Sequence, residues 1–509
     1  MFGLEQLTSG LFLASLVFAV AAILFTVLSN SRKLPLPPGP PPLPFIGNAL
    51  QLPKSRGWTR FAEWGRIYGP VVYFSVFGRE LVILNNAETV FDLMDKRSNI
   101  YSDRPMAWMF QKLAGMELAV FNISSEHDRF KTYRKLMHGG LNQRAIVTYH
   151  NIMQDYACQF IEGLESTPER FVHHIRKNFV SVILKVAYGY SVTGDNDHFV
   201  IAAEEATAVV ALAANPGRWL VDFFPILRFV PAWFPGADFK RQGAHFRRVL
   251  ESFNDLPHDW VKEQIAAGTH DEQSFSAQLL IPPANSPPLT EDEDDIVKWS
   301  VAGLYAGGAD TTTSAMKTFF LAMALNPSIQ RRAQAEVDEI TGSTRLLTPD
   351  DIPALPFVDA ILKECVRWAP VAELGLPHRV TRDDEYRGFR VPRGAMVLAN
   401  IWALLHDEDF YPDSEVFDPD RFMAAPGRTP QQDPTKYAFG FGRRICPGEY
   451  FARAALALSI AHVLARFDIA DARDAAGRLI GPEVALDPGI LCHSLPFSCS
   501  ITPRSRKAL

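Results

Sequence analysis

The sequence predicts a mainly α-helical protein with a small β portion. One observation is a long helical stretch over residues 290–325, which opens with a capping box formed by Thr290 and Glu293. Another is a pair of segments rich in β-branched and aromatic residues, 71–77 and 81–84, which indicates one hairpin. Further helices are expected within residues 127–138, 351–367 and 452–458.

The boundaries of these elements have local support. A Gly-Arg-Glu sequence at 78–80 separates the two strands of the hairpin. Asn326 and Pro327 end the long helix, because proline is favoured at the first position of a following helix. Pro370 ends the helix that closes the 351–367 segment, since the residue before proline disfavours the helical region.

Composition excludes several classes of protein. The 509 residues are 47% hydrophobic and 21% charged, which is ordinary for a globular protein. A net charge of −6 does not suggest a nucleic-acid partner. The chain has 5 cysteines, an odd count without paired spacing, which argues against a disulfide framework or a zinc site and suits a reducing compartment.

The N-terminus predicts a membrane anchor over residues 1–30. Residues 11–28 carry no charge and, as a helix, would extend roughly 27 Å, enough to cross a bilayer. Glu5 precedes this segment and Arg32 and Lys33 follow it, so the rest of the chain is expected in the cytosol. A cleavable signal peptide is the alternative, but no Lys or Arg precedes the segment and no Ala-x-Ala cleavage site lies directly before the basic pair.

Proline dominates the residues that follow the anchor. The segment 31–44 predicts a stiff, extended hinge, with a disordered linker as the alternative. The globular domain is expected to cover residues 45–509.

A single cysteine near the C-terminus lies in a glycine-rich loop. The loop runs from Phe439 to Gly448, and a helix is expected shortly after Cys446. A helix N-terminus lowers the pKa of a thiol and favours the thiolate, which is a metal ligand or a nucleophile. A buried, inert cysteine is the alternative.

The loop resembles the haem-ligand loop of the cytochrome P450 family. The matching pattern is Phe-x-x-Gly-x-Arg-x-Cys-x-Gly, filled here by Phe439, Gly442, Arg444, Cys446 and Gly448. The resemblance implies a cofactor, haem b, whose iron is held by the thiolate of Cys446. Such a ligand favours cleavage of the O–O bond.

Three further motifs resemble this family in the expected order. Gly307-Gly308-Ala309-Asp310-Thr311 matches its oxygen-activation motif, which implies that Asp310 and Thr311 organise proton delivery; close helix packing at glycine is the alternative. The motifs Glu-x-x-Arg and Phe-x-Pro-x-Arg-Phe imply a buried ionic triad behind the haem. The residues that carry this triad are Glu364, Arg367 and Arg421.

The resemblance also implies a set of residues that bind the haem propionates. The family has the pattern Trp-x-x-x-Arg, and Arg134 matches its arginine. Phe130 stands at the tryptophan position, so one hydrogen-bond donor to the propionate is absent. The other residues carried over to the cofactor are Arg104, His378, Phe439 and Arg444.

Two apolar stretches are expected near the substrate. Residues 105–121 are expected to form either part of the core or a lid over the substrate pocket. Residues 223–235 are expected either to pack internally or to form a loop that contacts the membrane. Glu373 stands where relatives have an apolar residue or proline, and it either points to solvent or orients a polar group of the substrate. The cations Arg129, Lys131 and Lys135 are expected to dock a reductase.

The resemblance covers roughly residues 35–503 and is greatest to the microsomal, fungal-like members. It implies a cytochrome P450 fold preceded by one transmembrane helix, located in the endoplasmic reticulum membrane. The implied function is insertion of one oxygen atom from O₂ into a lipophilic molecule such as a terpenoid or polyketide, typical of secondary metabolism. No flavin or nicotinamide domain is recognisable, so an NADPH-cytochrome reductase, with cytochrome b5 as an alternative donor, must supply electrons. The alternatives are an isomerase or dehydratase of hydroperoxides and a non-catalytic haem-binding protein.

Overall fold

Helices make up most of the structure, a computed structural model that describes residues 34–504 except 54, 195, 343–344, 474–477, 482–484, 488 and 490. Short strands form the remainder, so the prediction of a mainly helical fold with a small β portion is confirmed. The α-helices are α1 (Gly57–Tyr68), α2 (Ala87–Val90), α3 (Ser98–Tyr101), α4 (Asp128–Leu141), α5 (Gln143–Val147), α6 (His150–Ser166), α7 (Phe171–Tyr188), α8 (His198–Ala213), α9 (Leu220–Phe223), α10 (Asp238–Ala267), α11 (Phe275–Leu280), α12 (Glu291–Leu325), α13 (Pro327–Thr341), α14 (Pro356–Trp368), α15 (Ile401–Leu405), α16 (Thr435–Ala438) and α17 (Glu449–Arg466).

Short helical turns connect several of these helices. Two of them are π-helical, Phe91–Lys96 and Trp108–Leu113. The 3₁₀ turns are Ala49–Gln51, Met116–Leu118, Pro168–Arg170, Pro225–Phe229, Pro349–Ala354, Pro419–Phe422 and Gly442–Arg444.

The strands form small sheets at the periphery. The largest has the order β1-β2-β6-β3, in which β2 and β6 are parallel and the other pairs antiparallel. The remaining pairs are β4 with β5, β9 with β10, and β7 with both β8 and β11. The strands are β1 (Val71–Val76), β2 (Arg79–Leu84), β3 (His378–Arg379), β4 (Asp384–Tyr386), β5 (Phe389–Val391), β6 (Met396–Ala399), β7 (Phe467–Arg473), β8 (Leu479–Ile480), β9 (Leu486–Asp487), β10 (His493–Ser494) and β11 (Cys499–Pro503).

The predicted hairpin is present as β1 and β2, with a tighter turn than expected. Val71 pairs with Leu84 and Val76 with Arg79, so the second strand begins at Arg79 and not at 81. Phe77 and Gly78 both have positive φ, +48° and +78°. This backbone is typical of a two-residue turn whose twist matches that of the strands.

The predicted long helix is confirmed as α12, and the capping box forms at its start. The Thr290 hydroxyl accepts a hydrogen bond from the Glu293 amide at 3.3 Å, and the Glu293 carboxylate accepts one from the Thr290 amide at 2.9 Å. The helix is largely buried on both sides of its middle turn, within residues 300–305 and 312–324, where it packs against α7, α14 and α17. The middle turn, residues 306–311, is partly exposed and is held between these two packed stretches.

The proline-rich segment lies against the sheet where the structure describes it. The Pro38 carbonyl accepts a hydrogen bond from the Tyr73 amide at 2.9 Å, and the Pro35 carbonyl accepts one from the Arg390 amide at 2.8 Å. Within the described part of the chain, no helix has the length and apolar character needed to cross a membrane. The anchor expected over residues 1–30 lies outside the described residues.

Candidate active site

The cysteine loop is a tight turn that leads into α17. The Cys446 amide donates to the Phe439 carbonyl at 2.7 Å. Gly440 and Gly442 have φ of +79° and +55°, and a Cβ at Gly442 would collide with the Met94 carbonyl oxygen. Glycine is therefore required for this loop to close, and the loop presents Cys446 just before the helix.

The helix N-terminus does not by itself lower the pKa of the Cys446 thiol, contrary to the sequence-based expectation. Desolvation by the surrounding protein atoms is the largest effect and raises the pKa of this thiol, although the Cys446 residue is exposed. A hydrogen bond from the Gly448 amide and the charge of Arg134 oppose that rise without reversing it. Because a coordinated metal ion deprotonates a thiol outright, bound haem iron would hold Cys446 as the thiolate.

Partly buried cations gather beside the cysteine loop. Arg134 in α4 donates to the Ile445 carbonyl at 2.8 Å, next to Cys446. Arg444 donates to the carbonyls of Ser102 and Ile123, at 2.8 and 2.5 Å.

Arg104 and His378 extend the cluster on its other side. Arg104 donates to the Phe121 carbonyl at 2.8 Å and the Pro377 carbonyl at 2.7 Å. The Nδ1 of His378 lies 2.6 Å from the Tyr101 carbonyl, so its Nε2 would donate to a carboxylate only as imidazolium.

The electrostatics of this cluster favour an anionic ligand. Burial and repulsion from Arg444 lower the pKa of Arg104 to about 9, and burial lowers that of Arg444 to about 10. Burial and Arg104 also hold the pKa of His378 well below its usual range. The nearby carboxylate of Asp103 is held by Arg379. Two carboxylates, such as haem propionates, would compensate these buried charges, so the donor set fits haem.

Phe130 contributes to the cluster through its ring. The Arg444 guanidinium lies 4.2 Å above the ring centroid, and Phe130 is buried. This cation–π contact helps to hold Arg444 in place where a tryptophan would have supplied a donor of its own.

The segment 120–123 links the cationic cluster to the long helix. Arg444 also donates to the Val120 carbonyl at 3.4 Å. A Cβ at Gly303 would collide with the side chain of Val120, and one at Gly307 would lie 3.0 Å from the Phe121 ring. The glycines of α12 thus allow close packing, as the alternative interpretation of the motif held, and this packing brings Thr311 to the site.

Asp310 and Thr311 lie in unbroken helix. The Thr311 hydroxyl donates to the Gly307 carbonyl at 2.7 Å, which leaves its oxygen free to accept. The Asp310 carboxylate lies 3.2 Å from Nε2 of His493, which the sequence did not single out. Burial, the largest effect, raises the pKa of Asp310, but the hydrogen bond from His493 and nearby cations hold it below its ordinary value.

The predicted ionic triad is assembled between α14 and the segment 413–421. Arg367 and Glu364 are fully buried and form two hydrogen bonds of 2.7 and 2.8 Å. Arg421 lies farther away, with Nε at 3.4 Å from Glu364. Glu364 also accepts from the Asp418 amide at 2.8 Å, and Arg421 donates to the Asp413 carbonyl, so the triad holds the segment before the loop against α14.

Glu373 is buried, so the interpretation in which it points to solvent is wrong. It is 3% exposed, its Oε1 has no hydrogen-bond partner among the described residues, and the Cys492 thiol contacts its carboxyl group. Burial raises the pKa of Glu373 to about 7. The chain therefore keeps a carboxyl group with spare hydrogen-bonding capacity inside the protein.

Glu373→Gln should change the pH dependence of stability. Because the pKa of Glu373 is raised in the folded state, its contribution is present below the ordinary pKa of glutamate and is lost as pH rises through about 7. Ionisation should cost on the order of 3 kcal/mol of unfolding free energy. The variant should therefore gain Tm relative to wild type at pH 8, with the gap closing toward pH 5. Exposed Glu126→Gln serves as control, and an equal pH profile in wild type and Glu373→Gln would contradict the expectation.

Comparisons with known proteins agree with this site. The sequence model described as Cytochrome P450 matches residues 37–498. Cytochrome P450 monooxygenase claR of Ampulloclitocybe clavipes is 39% identical over 479 residues, covering 94% of this chain and 88% of the relative. Cytochrome P450 monooxygenase 208 of Postia placenta is 40% identical, with 96% and 94% coverage. Cytochrome P450 monooxygenase COX2 of Coprinopsis cinerea is 37% identical, with 97% and 94% coverage. The chain therefore belongs to the cytochrome P450 family, and it is an oxidoreductase that uses haem with a cysteine thiolate on the iron.

Proposed function

We propose that this enzyme inserts one oxygen atom of O₂ into a lipophilic small molecule, a terpenoid, polyketide or similar secondary metabolite, with electrons from NADPH through a separate reductase. Bound haem would supply the oxidising chemistry. The observation that carries the proposal is the adjacent carboxylate and hydroxyl of Asp310 and Thr311, in the turn after Gly307, which packs on Phe121 of the segment that Arg104 binds. A positioned acid and hydroxyl deliver protons, which monooxygenation needs and a non-catalytic haem protein does not.

A reconstituted reaction tests the function. The holoenzyme, an NADPH-cytochrome reductase and a panel of terpenoids and polyketides would first be screened for ligand-induced shifts of the Soret band. Compounds that shift it would then be incubated under ¹⁸O₂. One ¹⁸O atom per product supports the proposal, whereas isomerised or dehydrated hydroperoxide formed without NADPH would support the isomerase or dehydratase alternative.

We assign the iron ligand to Cys446 and not to Cys492. Both thiols have their pKa raised by burial, but Arg134 opposes the rise at Cys446, whereas Glu373 adds to it at Cys492. Cys492 has different neighbours: its carbonyl accepts from the Ser314 hydroxyl of the long helix, and its amide donates to the Val371 carbonyl at 2.7 Å.

Thr311→Ala should separate electron consumption from product formation. The substitution removes a hydroxyl that orders protons, worth about 10²–10⁴ in rate when positioned. Substrate-induced Soret shifts should stay near normal, while product per NADPH falls and hydrogen peroxide rises. The control is Thr313→Ala, because the Thr313 hydroxyl makes the same kind of bond, to the Ala309 carbonyl at 2.8 Å. If Thr311→Ala formed as much product per NADPH as wild type, the Thr311 hydroxyl would have no part in proton delivery and would serve only in helix packing.

The reductase should dock on the exposed face of α4. Lys131 and Lys135 are exposed there, and Arg134 of the same helix contacts the residue before Cys446. Arg129 does not belong to this surface, because it pairs with Asp292 and Asp295. Cations on an acidic protein steer an acidic partner.

Charge reversal tests the docking surface. Lys131→Glu with Lys135→Glu should slow reductase-driven NADPH oxidation and blunt its salt dependence, since both report encounter with an acidic partner. Arg248→Glu, at an exposed position of α10, should leave the rate unchanged. If peroxide-driven and reductase-driven rates fall equally, the change is structural and the docking surface is elsewhere.

We also propose attachment to the endoplasmic reticulum membrane, with the catalytic domain, residues 45–509, on the cytosolic side. Support comes from a cluster of exposed apolar side chains around residues 223–235. Trp233 is 79% exposed and Phe45 is 98% exposed. The rings of Phe77 and Phe223 meet edge to face with centroids 5.5 Å apart, which joins the hairpin turn to this surface. An apolar patch of this kind is typical of a surface that contacts lipid.

A further inference from the structure

The long helix holds the C-terminal hairpin through a row of polar side chains. The Ser314 hydroxyl donates to the Cys492 carbonyl at 2.5 Å, and the Lys317 ammonium donates to the Ser494 carbonyl at 2.9 Å. Asp310 is one turn before Ser314 on the same face. These contacts fix strand β10 against α12 next to the oxygen-activation motif.

Between those two anchors, His493 reaches Asp310. Its Nε2 lies 3.2 Å from Oδ2 of the carboxylate, and the two side chains are 24% and 28% exposed. Ser314 and Lys317 already bind β10, so the imidazole is not needed to attach the strand. Its contact with the carboxylate is therefore a separate feature of the site.

We propose that His493 is a positioning residue that orients the Asp310 carboxylate and returns protons to it from solvent. The inference rests on the proposed function, because it extends the proton delivery assigned there to Asp310 and Thr311. In each cycle Asp310 passes a proton inward and accepts one from the His493 imidazolium, and water reprotonates the imidazole. Proton number is conserved at each transfer.

The charges around this pair suit such a role. The pKa of Asp310 is below its ordinary value, so the carboxylate is ionised at neutral pH and must receive each proton from a neighbouring donor. An imidazole ring has two nitrogens, so it can take a proton at one side and give one at the other. The groups that face the pair are Lys317 of the same helix, Arg176 of α7, Glu373 after α14, Asp487 opposite His493 in β9, and the neighbouring Cys492.

A substrate-independent measurement tests the contact itself. The holoenzyme labelled with ¹³C at histidine Cε1 would be titrated by NMR from pH 5 to 8, with His493→Gln identifying the signal. Asp310→Asn should change the titration of that signal, because it removes the adjacent charge. An unchanged titration would overturn the proposal whatever the reaction catalysed.

The second measurement is hydrogen peroxide released per NADPH by the reductase-reconstituted holoenzyme without added substrate, from pH 6 to 8. In wild type the leak should rise with pH, because fewer protons then reach the Asp310 carboxylate from solvent. His493→Leu should raise the leak several-fold at pH 6, and His493→Gln, which keeps a donor but cannot titrate, should remove the pH dependence. Adding His493→Leu to Asp310→Asn should cause no further increase, since the two residues act as a unit.

Ser314→Ala is the matched control, because it loosens the same strand without touching the pair. Its leak should equal that of wild type. An equal increase in Ser314→Ala and His493→Leu, or a wild-type leak in His493→Leu, would overturn the proposal. Failure of wild type to consume NADPH would instead count against the proposed function, and the NMR titration would then decide on His493.

Discussion

Replacing Cys446 by histidine should abolish the absorption band that marks thiolate-ligated haem in the reduced carbon monoxide complex. The band should move to the position of histidine-ligated haem, because the axial ligand sets the electron density on the iron. The loop geometry supports the assignment, since the Cys446 amide is bound to the Phe439 carbonyl and a side chain at Gly442 would clash with Met94. A difference spectrum of dithionite-reduced protein with carbon monoxide measures the change.

Cys492→Ser is the control for this experiment. Cys492 is 3% exposed and lies beside Glu373. The spectrum of the Cys492→Ser variant should therefore be the same as that of wild type. If the band were lost in Cys492→Ser and kept in Cys446→His, the iron ligand would be Cys492 and not Cys446.

Glu364→Gln should strongly destabilise the enzyme. The substitution leaves the buried guanidinium of Arg367 without its bidentate partner, and it removes the carboxylate that lies 3.4 Å from Nε of Arg421. Removing one member of a buried ion pair costs about 3–5 kcal/mol, a large part of the roughly 5–15 kcal/mol that stabilises a typical protein. The yield of soluble, haem-loaded protein and its Tm should both fall well below wild type.

Glu339→Gln, at an exposed position of α13, is the control and should keep the yield and Tm of wild type. If Glu364→Gln retained both, the triad would not stabilise the fold.

Several features of the chain follow from local sequence and could be predicted. The capping box at Thr290, the turn at Gly78 and the cysteine loop each depend on residues close together in the chain. Such signals survive whatever the rest of the chain does, because the backbone conformation they need is local. Local signals placed element ends less well, and α17 begins at Glu449, before the expected 452.

Features that depend on distant residues were not predictable in this way. His493 and Asp310 are 183 positions apart, and no local pattern marks the histidine as a partner. The same holds for the contact of Cys492 with Glu373 and for the ion pairs that occupy Arg129. Which acidic side chain contacts which basic one is decided only when the helices and loops pack and bring distant residues together.

The sequence by itself determined the helical character of this protein, its cysteine loop and the residue types that the cytochrome P450 family requires. The tertiary structure decided the electrostatics of those residues. Burial raises the pKa of Cys446 against the effect of the helix N-terminus, and it raises that of Glu373 to about 7. Desolvation depends on every neighbour that excludes water, and those neighbours come from all parts of the folded chain.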